Sequence, residues 1–309
     1  MTDSIQSATP SPVALIDALN GTFGKHAGKR ASHAKGFCAA GEFTPAAGAA
    51  GFVDSPLFHA AAMPMPAIVR FSVGGGNPGV SDKSRSVRGL GVRLAAAGEQ
   101  YDLVLLSEPA FFAATPASFV SFLQARVADP ETKKPDPAKL AAHNAAFPDG
   151  MRQPALLAAH AAPASYATTP YFSNNAFVFE GSDKVRRTAR LVVEPAAGTQ
   201  YLNEDEEKNL PDHFLEDELN ARLRHGVAAF TLYAQLPAKG DSLTDSSTVW
   251  AGAERIALGT LSITGIAPAE SCDGLSFVPV TLPKAITPSD DPILKSRAAA
   301  YAVSLKRRS

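Results

Sequence analysis

Cysteine is scarce in this 309-residue chain, and its two examples, Cys38 and Cys272, stand near opposite ends. They form no C-x-x-C pair and no Cys/His spacing, which excludes a zinc ribbon or a thioredoxin-type redox motif. They read as free, buried thiols. No run of 18 apolar residues occurs, so no transmembrane helix is expected. An excess of either charge is also missing: 29 basic residues face 30 acidic ones, for a net charge of −1. That balance argues against a nucleic-acid partner, and the one basic run, Lys306-Arg307-Arg308, is too short to hold a polyanion. The N-terminal "MTDSIQSATPSPVALIDALNG" has no basic stretch ahead of an apolar core, so no signal peptide is visible. A removed leader leaves no trace, and the expected location is cytoplasmic or periplasmic.

What is present is a globular composition, 45% hydrophobic and 19% charged. Residues 1–12 are polar and rich in Pro and Ser and read as a disordered tail, leaving 13–309 as a single domain. Val13 to Asn20 reads as a short helix ended by Gly21. From Pro66 to Leu106 the pattern has period two: Val69, Phe71 and Val73 alternate with Arg70 and Ser72, and Leu90, Val92 and Leu94 with Gly91 and Arg93. "YDLVLL" (101–106) is a third strand. A helical block follows at "PASFVSFLQARVA", 137–146 and 153–162. Strands resume at 175–179, 187–195, 228–236 and 256–266, with a helix at 213–226 and a last one over "DPILKSRAAAYAVSLKRR". Strands mostly follow strands, which points to an α+β domain with an antiparallel barrel or sheet and packed helices.

Gly74-Gly75-Gly76-Asn77-Pro78-Gly79 matches the dinucleotide fingerprint G-x-G-x-x-G. No helical periodicity follows it, so it reads as a glycine-rich turn.

Three groups of residues carry chemistry. In "RASHAKG" (30–36), His33 sits among small residues, with room for something to approach its ring. Arg70 and Ser72 share one face of the strand 69–73, opposite Val69, Phe71 and Val73, and so face either a cavity or solvent. Phe111, Phe112 and Phe119 can line a flat apolar slot or simply fill the core. Arg297 and Tyr301, four apart on a helix, bring a guanidinium against a phenol oxygen, which favours phenolate. Tyrosinate is a known axial ligand of haem iron.

"RASHAKG", "IVRFSVGGGNPGVSDKSRSVRGLGVRL", "YDLVLLSEPAFF", "TLYAQL", "LGTLSITGIAP" and "RAAAY" occur in the order and spacing of the haem catalase superfamily. The chain most resembles its short branch, the catalase-related peroxidases, over about residues 20 to 309. The resemblance implies a catalase-type antiparallel β-barrel and a haem b cofactor with ferric iron. It places His33 as the distal histidine and Ser72 as its hydrogen-bond partner. It places Arg30, Arg70 and, with the chain close to its end, Arg308 on the haem propionates. Phe119 would stack on the haem, Phe111 and Phe112 would line the distal channel, and Tyr301 would be the axial ligand, with Arg297 its charge partner. Leu106 stands where large catalases carry an asparagine that orients peroxide.

The implied function is haem-dependent reduction of hydrogen peroxide or an organic hydroperoxide by a small organic electron donor, with little catalase activity. Hydroperoxide isomerisation or peroxygenation, and a non-catalytic haem carrier, are the alternatives. His33 argues against the carrier, which needs no distal acid/base. No membrane and no nucleic-acid partner is expected, and a homodimer stays open. His26, Lys29 and Lys35 read as solvated.

Overall fold

The computed structural model describes residues 9–59, 64–272 and 274–308. Its elements run α1 (Pro12–Phe23), β1 (Gly36–Pro45), β2 (Met65–Val73), β3 (Arg88–Ala96), β4 (Glu99–Leu106), α2 (Pro116–Gln124), α3 (Pro137–Ala146), α4 (Arg152–Ala158), β5 (Tyr171–Phe172), β6 (Phe177–Glu180), β7 (Arg186–Pro195), α5 (Glu204–Asn209), α6 (Leu215–Leu223), β8 (Ala228–Gln235), β9 (Arg255–Ile266), β10 (Ile286–Pro288) and α7 (Pro292–Arg308).

Eight strands close on themselves in the order β7-β5-β4-β3-β2-β1-β9-β8, and a β7–β8 pairing seals the ring. Every pairing is antiparallel, as expected when strands follow one another through short connections. Strands β6 and β10 extend the sheet from β7. Closure leaves the barrel without free edges and gives it one interior, filled by Phe43, Val69, Phe71, Leu94, Tyr171 and Phe230, each almost fully buried. A second apolar cluster lies outside, where Leu15, Ile16 and Leu19 of α1 meet Leu123 of α2 and Ala300 of α7. The cavity described below opens between this cluster and the outer face of the barrel. The described residues contain no helix long and apolar enough to cross a membrane.

Strand β2 lies between the barrel core and this cavity. Its last five residues are all buried, so it is covered on both faces. Val69, Phe71 and Val73 point into the barrel; Arg70 and Ser72, on the other face, are 6% and 4% exposed. The surface-arginine reading of Arg70 is therefore replaced by the cavity reading.

Several expectations shift. Helix α1 does not stop at Gly21 but runs through it to Phe23, because Gly24 at φ 83° supplies the terminating conformation. Its first residue, Pro12, falls within the expected tail, and Ser11 caps it by accepting from the Ala14 N–H; residues 1–8 of that tail lie outside the described residues. Strand β1 is absent from the sequence reading because its inward positions include small residues that give weak alternation. The second alanine-rich helix ends at Ala158, and Asn175 and Ala176 precede β6. Lys35 is not merely solvated: its ammonium lies 2.6 Å from buried Asp82. Residues 74–79 form bends and a turn with no helix directly after them.

The largest correction concerns the cysteines. Cys38 and Cys272 are not free but form a disulfide, with Cα atoms 6.0 Å apart. After β9 pairs with β1, the chain folds back along it: Ala267 donates its N–H to the Cys38 carbonyl, which brings Cys272 over the strand. Two residues remote in sequence thus become neighbours across a barrel surface.

Candidate functional site

A cavity of about 790 Å³ lies between the barrel and helices α1, α2, α4 and α7. Every residue named as a site candidate from the sequence lines it: His33, Ser72, Arg30, Arg70, Leu106, Phe111, Phe112, Phe119, Arg297, Tyr301 and Arg308.

The segment leading into β1 carries the histidine, and β2 of the barrel wall carries its partner. His33 Nδ1 lies 3.0 Å from Ser72 Oγ, and the Ser72 hydroxyl has a second, longer contact of 3.5 Å with the Gly89 carbonyl. His33 has φ 54°, a left-handed conformation that costs a non-glycine residue roughly 1–3 kcal/mol and persists where surroundings enforce it. Arg70 supplies part of that enforcement by donating from Nη2 to the His33 carbonyl at 2.9 Å. Two glycines leave the room needed. A Cβ on Gly89 would stand 2.7 Å from His33 Nδ1, and one on Gly36 would stand 2.8 Å from Arg70 Nη2.

Burial and three nearby guanidiniums, those of Arg70, Arg297 and Arg30, lower the His33 pKa to about 3. The ring is partly exposed only because it faces the cavity, and it is neutral across the physiological range. Burial also lowers the Arg70 pKa, to about 10, and Arg308 adds to that effect while Tyr166 opposes it.

Helix α7 carries the phenol. Arg297 donates from Nη2 to the Tyr301 oxygen at 2.7 Å and from Nη1 to Asn175 Oδ1 at 2.9 Å. Asn175 in turn donates to Asp291 Oδ2 at 2.8 Å. The other Asp291 oxygen accepts from the N–H groups of Ile293 and Leu294, fastening the start of α7. Burial raises the Asp291 pKa against these hydrogen bonds. The Asn175–Asp291 support was not foreseen. Asp-Pro at the start of a helical pattern signals a cap, but nothing in the sequence ties it to Asn175.

Arg30 and Arg308 converge from separate elements on one acceptor, the Leu275 carbonyl, at 2.8 and 2.7 Å. The aromatic slot is formed as well. Ring centroids lie 4.3 Å apart for Phe111–Phe112 and 5.1 Å for Phe112–Phe119, and Phe122 joins at 4.4 Å from Phe112.

Residues 11–309 match the family model described as Catalase. The chain belongs to the catalase family. It is 34% identical to a catalase-related peroxidase of Mycolicibacterium paratuberculosis, over 96% of this chain and 95% of that one. It is 33% identical to a catalase-related peroxidase of Synechococcus elongatus, over 96% of this chain and 88% of that one. Among solved structures, catalase A from Saccharomyces cerevisiae superposes with TM-score 0.82 at 20% identity, over 92% of this chain and 62% of that one. A fungal catalase gives TM-score 0.81 at 21% identity, over 92% and 60%. The chain thus spans about three fifths of those catalases, and the likeness shows a shared catalase fold.

Members of the catalase family generally bind haem. The residues present fit such a group. Six arginines and His33 line the cavity, while no Asp, Glu or Lys does among the described residues. A cavity with that balance, whose remaining walls are mostly glycine, aromatic and aliphatic, suits an apolar ligand that carries its own carboxylates. The one phenol on its α7 wall, Tyr301, is held by an arginine rather than by an acid.

Proposed function

We propose that this catalase-family protein is a haem-dependent peroxidase, which reduces hydrogen peroxide or an organic hydroperoxide with electrons from a small organic donor. The group it would hold is haem b with ferric iron. Arg30, Arg70 and Arg308 would take its propionates, Tyr301 would ligate its iron, and Phe119 would pack against it. When bound, the haem would supply the redox chemistry for breaking the O–O bond and receiving the donor's electrons.

The protein's own residues manage protons and water. With the Ser72 hydroxyl donating to the Gly89 carbonyl, its oxygen accepts from His33 Nδ1–H, which leaves Nε2 as the nitrogen with a free lone pair. A neutral His33 can take a proton from one peroxide oxygen and give it to the other, the leaving one. Proton transfer of this kind contributes typically about 10²–10⁴-fold. Arg297, by donating to the Tyr301 oxygen, holds that oxygen in place. Leu106 offers no hydrogen bond to peroxide, so a second peroxide is oxidised poorly and little oxygen is released.

The observation that carries this reading is the His33–Ser72 contact in the same cavity as the Arg297–Tyr301 pair. Absorption spectra of the haem-reconstituted protein test it. Tyr301→Phe is expected to lose haem or to change the ferric spectrum; an unchanged spectrum removes Tyr301 as the ligand. The buried Cys38–Cys272 disulfide supports an oxidising compartment, the periplasmic side of the expectation for location.

A further inference from the structure

Arg126 stands apart from the arginines assigned above. It follows α2 and lines the cavity at the far end of the aromatic row rather than beside His33 or Tyr301. Its guanidinium carbon lies 3.4 Å from the centroid of the Phe122 ring, and Nη1 donates to the Phe122 carbonyl at 3.1 Å. Among the described residues, Nη2 and Nε engage no protein acceptor, and no carboxylate lies within 4.0 Å to form an ion pair. Burial lowers its pKa, the mark of a cation held partly out of water without a counterion. From it the rings continue inward, Phe122 to Phe112 at 4.4 Å and Phe112 to Phe111 at 4.3 Å.

A flat cation fixed against a ring at the end of an apolar row matches an elongated molecule with an apolar body and a terminal carboxylate. The body replaces water along the phenylalanines, and the carboxylate accepts from the N–H groups of Nη2 and Nε. We propose that Arg126 is a specificity-determining residue that binds the carboxylate of an amphipathic organic acid used as substrate by this site. This rests on the peroxidase reading for the word substrate, but not for the binding. The same chemistry suits an organic hydroperoxide bearing a carboxylate or an electron donor bearing one, and the two sources separate experimentally.

The test uses the haem-loaded protein and its Arg126→Gln and Arg126→Lys variants. Calorimetric titration with decanoate and with uncharged 1-decanol measures binding without turnover. Arg126→Gln is expected to weaken decanoate about tenfold and decanol less than twofold, with Arg126→Lys between wild type and Gln. In steady state, a fatty-acid hydroperoxide with an uncharged donor is compared with cumene hydroperoxide and a carboxylate-bearing aromatic donor. A KM rise of about tenfold confined to the first pair assigns the anion to the peroxide, and a rise confined to the second assigns it to the donor. Decanoate and decanol weakened equally, or decanoate unaffected, overturns the proposal. Wild-type protein that binds decanoate through Arg126 but turns over no peroxide overturns the peroxidase reading and leaves the anion site standing.

Discussion

The imidazole of His33 and the hydroxyl of Ser72 meet at 3.0 Å across 39 residues of chain, in a pocket where three guanidiniums surround the ring. Charge and burial act in the same direction there, and both keep the histidine neutral.

That neutrality has a consequence for pH. The folded pKa is about 3, whereas an unperturbed histidine titrates near about 6.5. Between these values the unfolded chain binds a proton that the folded chain does not, so the contribution of His33 to stability falls as pH drops from about 6.5 towards 3. Activity should behave differently from that of an ordinary histidine enzyme. The kcat/KM for peroxide is expected to stay level from pH 8 down to about pH 4.5, with no inflection at the usual histidine pKa. An acid limb centred near pH 6.5 that is absent from His33→Ala would contradict the assigned environment.

Leu106 lies at the end of β4, opposite Gly89 of β3, and lines the same cavity. Leu106→Asn adds an amide without a large change of volume. It is expected to raise oxygen release from hydrogen peroxide relative to donor oxidation by at least about tenfold, or 1.4 kcal/mol in barrier difference. An oxygen electrode and a dye assay on the same preparation give the ratio. An unchanged ratio removes Leu106 as the reason for the weak catalase activity proposed above.

The disulfide makes a countable prediction. Protein denatured without reductant should show no reactive thiol, and protein denatured with reductant should show two, from Cys38 and Cys272. Because the bridge spans 234 residues, its loss through Cys38→Ser should lower stability by about 2–4 kcal/mol, visible as a lower Tm. Two reactive thiols before reduction would contradict the pairing.

Much of the site was legible before the fold. Period-two alternation placed Arg70 and Ser72 on one face of β2, and four-residue spacing placed Arg297 beside Tyr301, because strand and helix geometry are local. The partnerships that remained hidden are those that closure of the barrel creates. Cys38 reaches Cys272 only after β9 has paired with β1, and Asn175 reaches Arg297 only once α7 is docked. Arg30 and Arg308 meet at a backbone carbonyl, an acceptor that every residue carries and no pattern marks. Arg126 escaped notice for a related reason: its signal is the lack of an ion-pair partner among the described residues, which only packing reveals.

In the proposed reaction His33 moves the proton that lets this cavity reduce peroxide. The most direct test of this step is hydrogen-peroxide-dependent oxidation of a dye donor by wild type and His33→Ala at equal haem content. Measurable turnover is expected in the wild type and a kcat lower by about 10²–10⁴-fold in the variant, with the Soret band retained. Equal turnover in the two proteins, or none in the haem-loaded wild type, would contradict it.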